Sequence, residues 1–188
     1  GNTRHYAATV YKLMQSIGSR DDEIVFGLCV FVNRGRTIVI ADTNVIEYPT
    51  SEELASIAKS SARVAKLLGL DPKIAFLSHS TFGQPETDRT KRISKAVEML
   101  KDEKVDFLFD GEMQPDVALN NKYKGTYSFS NIVGSANVLV MPSIHAAAIS
   151  IKMLKELSRG KVFGPLLIGL AQPIEVAPLR SSSSEILN

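Results

Sequence analysis

The chain has 188 residues, of which 44% are hydrophobic and 22% charged, so it can bury the core of one large or two small domains without disulfides or structural metals. Its formal net charge is only +2 and its basic residues are scattered, which argues against nucleic acid or an anionic membrane as a partner, and no apolar stretch approaches the roughly 20 residues that span a bilayer. Cys29, the single cysteine, lies in an apolar run, and the chain opens without a signal-peptide pattern, so we expect a cytoplasmic protein with no intramolecular disulfide.

Hydrophobic periodicity predicts a helix and a β-hairpin, followed by strands that alternate with helices. The predicted elements are, in chain order, a helix at 6–17, strands at 24–32 and 37–41, a helix at 50–69, a strand at 73–77, a helix around 93–100, a strand at 105–109, a short helix at 113–119, an irregular segment at 122–133, a strand at 137–141, a helix at 143–157, and a last strand region at 161–163 and 166–170. Thr50 and Glu53 have the spacing of a capping box. Continuous apolar strands between helices indicate a three-layer α/β/α fold with a mainly parallel sheet plus the N-terminal antiparallel hairpin.

Polar residues follow four of the predicted strands. These segments are 78–85, 110–116, 142–145 and 164–165. Ligands of an open parallel sheet bind beyond the carboxyl ends of its strands, so we expect the four segments to meet at one edge. The hydroxyls and glycine of 78–85 could cradle an anion or merely form turns and caps. Asp110 and Glu112 could act as an acid–base pair, or could instead turn the chain and bind backbone amides.

Motifs for common cofactors are absent. His79 and His145 lack metal-ligand spacing, so no metal site is predicted. The sequence also contains no Gly-x-Ser-x-Gly, no Gly-x-Gly-x-x-Gly and no Walker loop, so no serine hydrolase, nicotinamide or nucleoside triphosphate site is indicated. The residues alone therefore predict an α/β domain with a polar cleft and no identified reaction.

Four ordered segments resemble the phosphate acetyl/butyryl transferase family. They are 78–83 (SHSTFG), 110–118 (DGEMQPDVA), 136–142 (ANVLVMP) and 164–173 (GPLLIGLAQP). Three more, at 4–9, 49–54 and 127–130, are similar to the C-terminal domain of large bacterial hybrid NADP-dependent malic enzymes, whose malic and nicotinamide-binding modules are absent from this sequence. The resemblance implies that residues 1–188 are a fragment of such a domain and that the native chain continues at both ends. We expect about 1–45 and 172–188 to contribute to one lobe or its hinge, and 46–171 to form the other lobe.

The sequence departs from the family pattern where the transferase chemistry would lie. Family members move an acetyl group between CoA and phosphate, which the resemblance assigns to a general base, arginines and a serine. Tyr11 stands where the family has one of these arginines, and Leu179 stands where it has the serine. Arg180 matches the second arginine across a one-residue gap, and Glu185 replaces the base aspartate. We therefore assign no catalytic residue and expect little acetyl transfer.

The resemblance implies an acetyl-CoA-binding regulatory and oligomerisation domain of an NADP-dependent malic enzyme. The expected ligand-binding residues are Ser80, Thr81, Gly83, Asp110, Glu112, Gln114 and Arg180. Of these, Asp110, Glu112 and Gln114 are expected to fix the loop that shapes the pocket. The implied partners are acetyl-CoA or CoA, a second copy in at least a homodimer, and the malic modules of the same chain, where NADP and a divalent metal would bind. The alternatives are an active phosphate acetyltransferase and a purely structural dimerisation domain.

Overall fold

The computed structural model describes residues 6–20, 23–42, 45–83 and 86–174. The elements in these ranges are α1 (Tyr6–Ile17), β1 (Phe26–Asn33), β2 (Arg36–Ala41), α2 (Ser51–Leu67), β3 (Lys73–Leu77), α3 (Asp88–Glu103), β4 (Leu108–Met113), α4 (Pro115–Leu119), a 3₁₀ turn (Asn121–Lys124), β5 (Val138–Val140), α5 (Ile144–Leu157) and β6 (Lys161–Ile168). No helix of the described ranges is long and apolar enough to cross a bilayer.

The six strands form one mixed sheet in the order β4-β3-β5-β2-β1-β6. The adjacent pairs β4–β3, β3–β5 and β5–β2 are parallel, whereas β1 is antiparallel to both β2 and β6. The prediction of a mainly parallel sheet with an N-terminal hairpin is thus confirmed. Because parallel strands point the same way, β2, β3, β4 and β5 all end at one side of the sheet, which we call the carboxyl edge.

Helices cover both faces of the sheet and complete three layers. Alternate residues of a strand point to opposite faces, and in β2 Val39 packs in the cluster under α2 and α3, while Ile38 and Ile40 pack in the cluster under α4 and α5. Central strands with two buried faces require apolar residues at consecutive positions. This requirement explains why continuous apolar runs predicted the parallel strands correctly.

Three helices begin at the carboxyl edge with capped N-termini. The capping box predicted for α2 is present: Thr50 Oγ1 accepts from the Glu53 amide at 3.2 Å, and the Glu53 carboxylate accepts from the Thr50 amide at 2.7 Å. Thr87 and Thr90 form an equivalent box at α3, and the Ser143 hydroxyl caps α5. Each helix follows a strand that ends at this edge, so chain order alone brings the N-termini together.

Two predicted strands differ from the observed ones. The strand expected at 105–109 runs instead from Leu108 to Met113, so Asp110 and Glu112 lie within β4 rather than in the loop after it. Their carboxylates tolerate this burial because backbone amides and hydroxyls donate to them.

The second correction concerns residues 164–165, which we expected at the carboxyl edge. They lie in the middle of one continuous strand, β6, opposite a register shift of β1 between Leu28 and Val30. Gly164 has φ +102°, and a Cβ there would approach the Leu28 carbonyl oxygen to 2.8 Å. Proline is accepted in a strand at an edge or an irregularity, and β6 provides both. Only three of the four polar segments therefore meet at the carboxyl edge.

Helix α1 packs where β1 begins and β6 ends. Val10 contacts a small cluster that contains Val25, Leu167 and Leu170, and Ser19 forms a β-bridge with Leu170. The division into two lobes stays a prediction, because residues 175–188 lie outside the described ranges.

Candidate functional site

Glu112 holds the loop that follows β3. Its side chain is buried, with 1% of the residue exposed. One carboxylate oxygen accepts from the Gly83 amide at 2.6 Å and from Ser80 Oγ at 3.4 Å, and the other accepts from Ser94 Oγ of α3 at 2.8 Å. Charged acceptors make stronger hydrogen bonds than neutral ones. Glu112 thus fastens residues 78–83 to β4 and α3.

Asp110 binds a different part of the chain. One of its oxygens accepts from the Asn131 amide at 2.7 Å and the other from the Gly111 amide at 2.9 Å. Gly111 lies at the register shift between β3 and β4 with φ +151°, and there is no room for a Cβ against Phe76. Glu112 therefore turns toward α3, whereas Asp110 bonds to the segment before β5. This geometry favours the structural interpretation of the two carboxylates over an acid–base pair.

Gln114 fixes the same loop from its other side. Its amide N–H donates to Thr81 Oγ1 at 3.1 Å, and its side-chain nitrogen donates to the His79 carbonyl at 2.6 Å. Ser78 Oγ and Ser80 Oγ lie 3.2 Å apart, and both serines are buried. Five of the expected ligand residues, namely Ser80, Thr81, Gly83, Glu112 and Gln114, are therefore brought together in one network. Their contact with a ligand stays a prediction.

Three aromatic rings pack together on the outer side of the loop 78–83. Phe82 lies 4.8 Å from Phe129 and 5.6 Å from Tyr127, measured between ring centroids. Phe129 is 65% exposed. The segment 127–130, which carries part of the resemblance, thus supports the loop 78–83.

Asp42 is a further buried carboxylate at the carboxyl edge, which the sequence analysis did not single out. It is 2% exposed and follows β2 at the carboxyl edge. Its carboxylate accepts from the Gly27 amide at 2.8 Å and from the Ile46 amide at 2.7 Å. The same signal that drew attention to Asp110, a carboxylate beside an apolar strand, was available for Asp42.

Arg89 and Arg92 were missed as well. Arg92 Nη2 donates to the Pro142 carbonyl at 3.1 Å, just beyond β5. The Arg89 guanidinium lies 5.9 Å from the ring centroid of Tyr48. Burial lowers the pKa of Arg92, the positive charge of Arg89 lowers it further, and Glu53 partly opposes the shift. Two basic residues in the first turns of a helix are typical of an ordinary solvent-exposed helix face. The sequence therefore contains no specific indication that these two arginines contact the residues after β2 and β5.

Of the residues expected at the degenerate catalytic positions, only one lies within the described ranges. Tyr11 lies on α1 and is 62% exposed, while Leu179, Arg180 and Glu185 lie outside the described ranges. His145 Nε2 is 3.4 Å from a Glu47 oxygen, and His79 is exposed. The described ranges contain no group of three or more His, Cys, Asp or Glu residues that could hold a metal.

A separate groove lies at the opposite end of the sheet. It has a volume of about 450 Å³ and is lined by the later turns of α2 and by the residues before β4. Its cations are already paired: Lys66 with Asp106 at 2.6 Å and Arg63 with Glu23 at 2.8 Å. The groove is therefore separate from the carboxyl edge and from its hydrogen-bonded loop.

Comparison with known proteins gives the context of this site. Residues 1–188 match the family described as phosphate acetyl/butaryl transferase. An NADP-dependent malic enzyme of Rhizobium meliloti (strain 1021) is 44% identical over 188 residues, which is all of this chain and 25% of the relative. A phosphate acetyltransferase of Clostridium acetobutylicum is 37% identical over 153 residues, or 80% of this chain and 46% of the relative.

Solved structures agree with the sequence comparison. The crystal structure of a phosphotransacetylase from Streptococcus pyogenes superposes with a TM-score of 0.89 at 30% identity, covering 99% of this chain and 58% of that one. The chain thus spans about a quarter of the malic enzyme and about half of the transferases. The predicted resemblance to both groups is confirmed, and the chain belongs to the phosphate acetyl/butaryl transferase family.

Proposed function

We propose that this chain is an acetyl-CoA-binding regulatory and assembly domain of an NADP-dependent malic enzyme, with little or no phosphate acetyltransferase turnover. The observation that carries the proposal is the loop 78–83, which stays fastened at the carboxyl edge by Glu112 and Gln114. A preorganised loop of small polar residues at this edge is a suitable cradle for a ligand. The malic enzyme relative at 44% identity supports the malic enzyme context of the proposal.

Tyr11 supports the expectation of weak turnover. Transfer of an acetyl group to phosphate develops negative charge, which preorganised cations or hydrogen-bond donors must stabilise. A tyrosine in place of arginine supplies one neutral donor rather than a charged planar fork. A domain can lose this chemistry and still bind a ligand, because binding depends on the walls of the cleft more than on the reacting centre.

Regulation follows if acetyl-CoA binds two arrangements of the complete protein with different affinities.

Isothermal titration calorimetry on the complete protein tests the binding step directly. Saturable heat with acetyl-CoA supports the proposal, and no heat at millimolar ligand contradicts it. A second assay, acetyl-CoA formation from acetyl phosphate and CoA, tests the alternative; turnover above background would establish an active transferase.

One further observation favours the assembly role. Ile149, Met153 and Leu157 of α5 are 59%, 54% and 79% exposed, and their spacing of four places them in one stripe along the helix. Lys152 and Glu156 flank the same side of this stripe. If two copies of α5 packed antiparallel about a two-fold axis, each Lys152 would lie opposite the partner's Glu156, which gives the self-complementary charge that an isologous interface needs.

The assembly role has a matched test. Leu157→Glu introduces a charge into the stripe, whereas Leu67→Glu makes the same change at an 88% exposed leucine of α2 on the other face of the sheet. We expect analytical ultracentrifugation of the complete protein to show dissociation for Leu157→Glu and not for Leu67→Glu. Unchanged mass for both variants would remove α5 from the interface.

A further inference from the structure

Two guanidinium groups share the carboxyl edge beside the ends of β5 and β2. Arg89 and Arg92 are three residues apart on α3 and therefore lie on neighbouring positions of one face. Arg92 is anchored to the Pro142 carbonyl at 3.1 Å, and Arg89 lies over the ring of Tyr48 at 5.9 Å from its centroid. Each guanidinium thus contacts a residue that follows a strand at the edge where ligands of this architecture bind.

Within the part of the chain that the structure describes, these two guanidinium groups form no direct ion pair. Neither Arg89 nor Arg92 has a carboxylate oxygen within 4.0 Å among the residues that the structure describes, and within that set Arg92 Nε is buried with no acceptor. Three acidic side chains nearby have other partners, namely Glu52 with Lys95, Glu86 with Lys91 and Glu47 with His145. Glu53 accepts from the Thr50 amide and acts on the Arg92 charge only from a distance, without an ion pair. Two like charges on neighbouring positions of one helix face repel each other, and an anion bound by both guanidinium groups would reduce this repulsion.

The backbone adds positive potential at the same place. Helices α2, α3 and α5 all begin here, and the first two are joined because Ser51 Oγ donates to the Arg92 carbonyl at 2.9 Å. The Ile144 amide at the start of α5 donates to the Glu47 carbonyl at 3.2 Å. Helix N-termini carry partial positive charge and favour anions. The side chains and the helix ends therefore select the same sign of ligand.

We propose that Arg89 and Arg92 bind a phosphoryl group at the carboxyl edge, in the first instance a phosphate of the CoA moiety. The planar guanidinium fork matches phosphate oxygens in a bidentate manner, which a lysine cannot do. The choice of CoA as the ligand rests on the proposed function. The pair would supply cationic contacts on β5's side of the site, in a chain whose α1 carries Tyr11 instead of an arginine.

The test compares neutral variants of the pair with a matched control in the complete protein. Arg89→Gln and Arg92→Gln each remove one guanidinium, and Lys91→Gln removes a cation from the same turn that is already paired with Glu86 at 3.3 Å. Calorimetry is performed with acetyl-CoA, 3′-dephospho-CoA and inorganic phosphate. We expect acetyl-CoA to bind roughly 10- to 100-fold more weakly to each arginine variant, and equally well to Lys91→Gln.

The three probes separate the sources of the phosphoryl group. A loss of affinity for acetyl-CoA, but not for 3′-dephospho-CoA, assigns the pair to the 3′-phosphate; an equal loss for both assigns it to the diphosphate. Arginine-dependent binding of inorganic phosphate, without binding of acetyl-CoA, would uphold the anion site while contradicting the proposed function. If wild type binds acetyl-CoA and both arginine variants bind it equally well, the inference is wrong. The exposed Arg89 keeps the test valid should Arg92→Gln fail to fold, and binding of no probe by wild type overturns both proposals.

Discussion

The substitution Glu112→Gln probes the contact that fixes the candidate ligand loop. The wild-type carboxylate is 1% exposed and accepts from the Gly83 amide at 2.6 Å and from Ser94 Oγ at 2.8 Å. Glutamine keeps the size of the side chain but replaces one acceptor oxygen with an amide nitrogen that can only donate. One of the two donors must then turn away or lose its partner, and the other loses the charge that strengthens its bond.

The expected loss of stability follows from these two bonds. Hydrogen bonds to a charged group contribute about 1.5–3 kcal/mol each, and neutral ones about 1 kcal/mol. In Glu112→Gln one neutral hydrogen bond remains and the Ser94 hydroxyl rotates toward a new partner. The free energy of unfolding therefore falls by about 1–2 kcal/mol. Removing the whole side chain in Glu112→Ala strands both donors and opens a cavity, so a loss of about 3–5 kcal/mol is expected.

Urea unfolding of the variants measures these differences, with Glu103→Gln as the control. Glu103 bonds to Lys59 at 2.7 Å, but both side chains are 42% exposed, and exposed pairs contribute about 0–1 kcal/mol. The expected order of stability is wild type, Glu103→Gln, Glu112→Gln and Glu112→Ala. A Glu112→Gln variant as stable as wild type would refute the argument, because it would show that the loop needs no charged acceptor.

Three more predictions concern the frame around the site. Thr50→Ala removes the capping hydroxyl of α2 and should lower the free energy of unfolding by about 1 kcal/mol in a denaturant titration; no loss would show that Glu53 alone suffices. Hydrogen bonding to Lys66 lowers the pKa of Asp106 from 3.8, so this pair stabilises the fold above that pH and the contribution disappears as the pH falls. An NMR titration of Lys66→Met should return the pKa of Asp106 toward 3.8, and an unchanged value would contradict this cause. Gly164→Ala places a Cβ 2.8 Å from the Leu28 carbonyl oxygen at a φ of +102°. It should lower the free energy of unfolding by about 1–3 kcal/mol, and the melting temperature with it. An unchanged melting temperature would mean that β6 shifts without cost to accept the methyl group.

Local patterns predicted the parts of the fold that local interactions determine. The capping box of α2 and the strand at Lys73–Leu77 were found because their signals lie within a few neighbouring residues. Strand β4 was misplaced because its polar residues are stabilised by partners far along the chain: Asp110 by the Asn131 amide and Glu112 by Ser94. No short window of sequence contains those partners.

The candidate site shows the same division. Residues 78–83 were identified from composition and family resemblance, and the structure brings most of the expected residues around them into one network. Arg89 and Arg92 were overlooked because charged residues on a helix usually face solvent. The role proposed for them depends on Pro142 and Tyr48, which approach α3 only in the folded chain. The position predicted for residues 164–165 was wrong because β6 continues through them to Ile168, opposite a register shift of its partner β1 that no short window of sequence reveals.

The most direct test of the regulatory role is the rate of NADP-dependent malate oxidation by the complete protein as acetyl-CoA is increased. If the loop at the carboxyl edge binds acetyl-CoA and communicates with the malic modules, the rate changes along a saturable curve, and Arg89→Gln shifts that curve to higher acetyl-CoA concentration. A rate that stays constant to millimolar acetyl-CoA, in a protein that oxidises malate normally, would contradict the account.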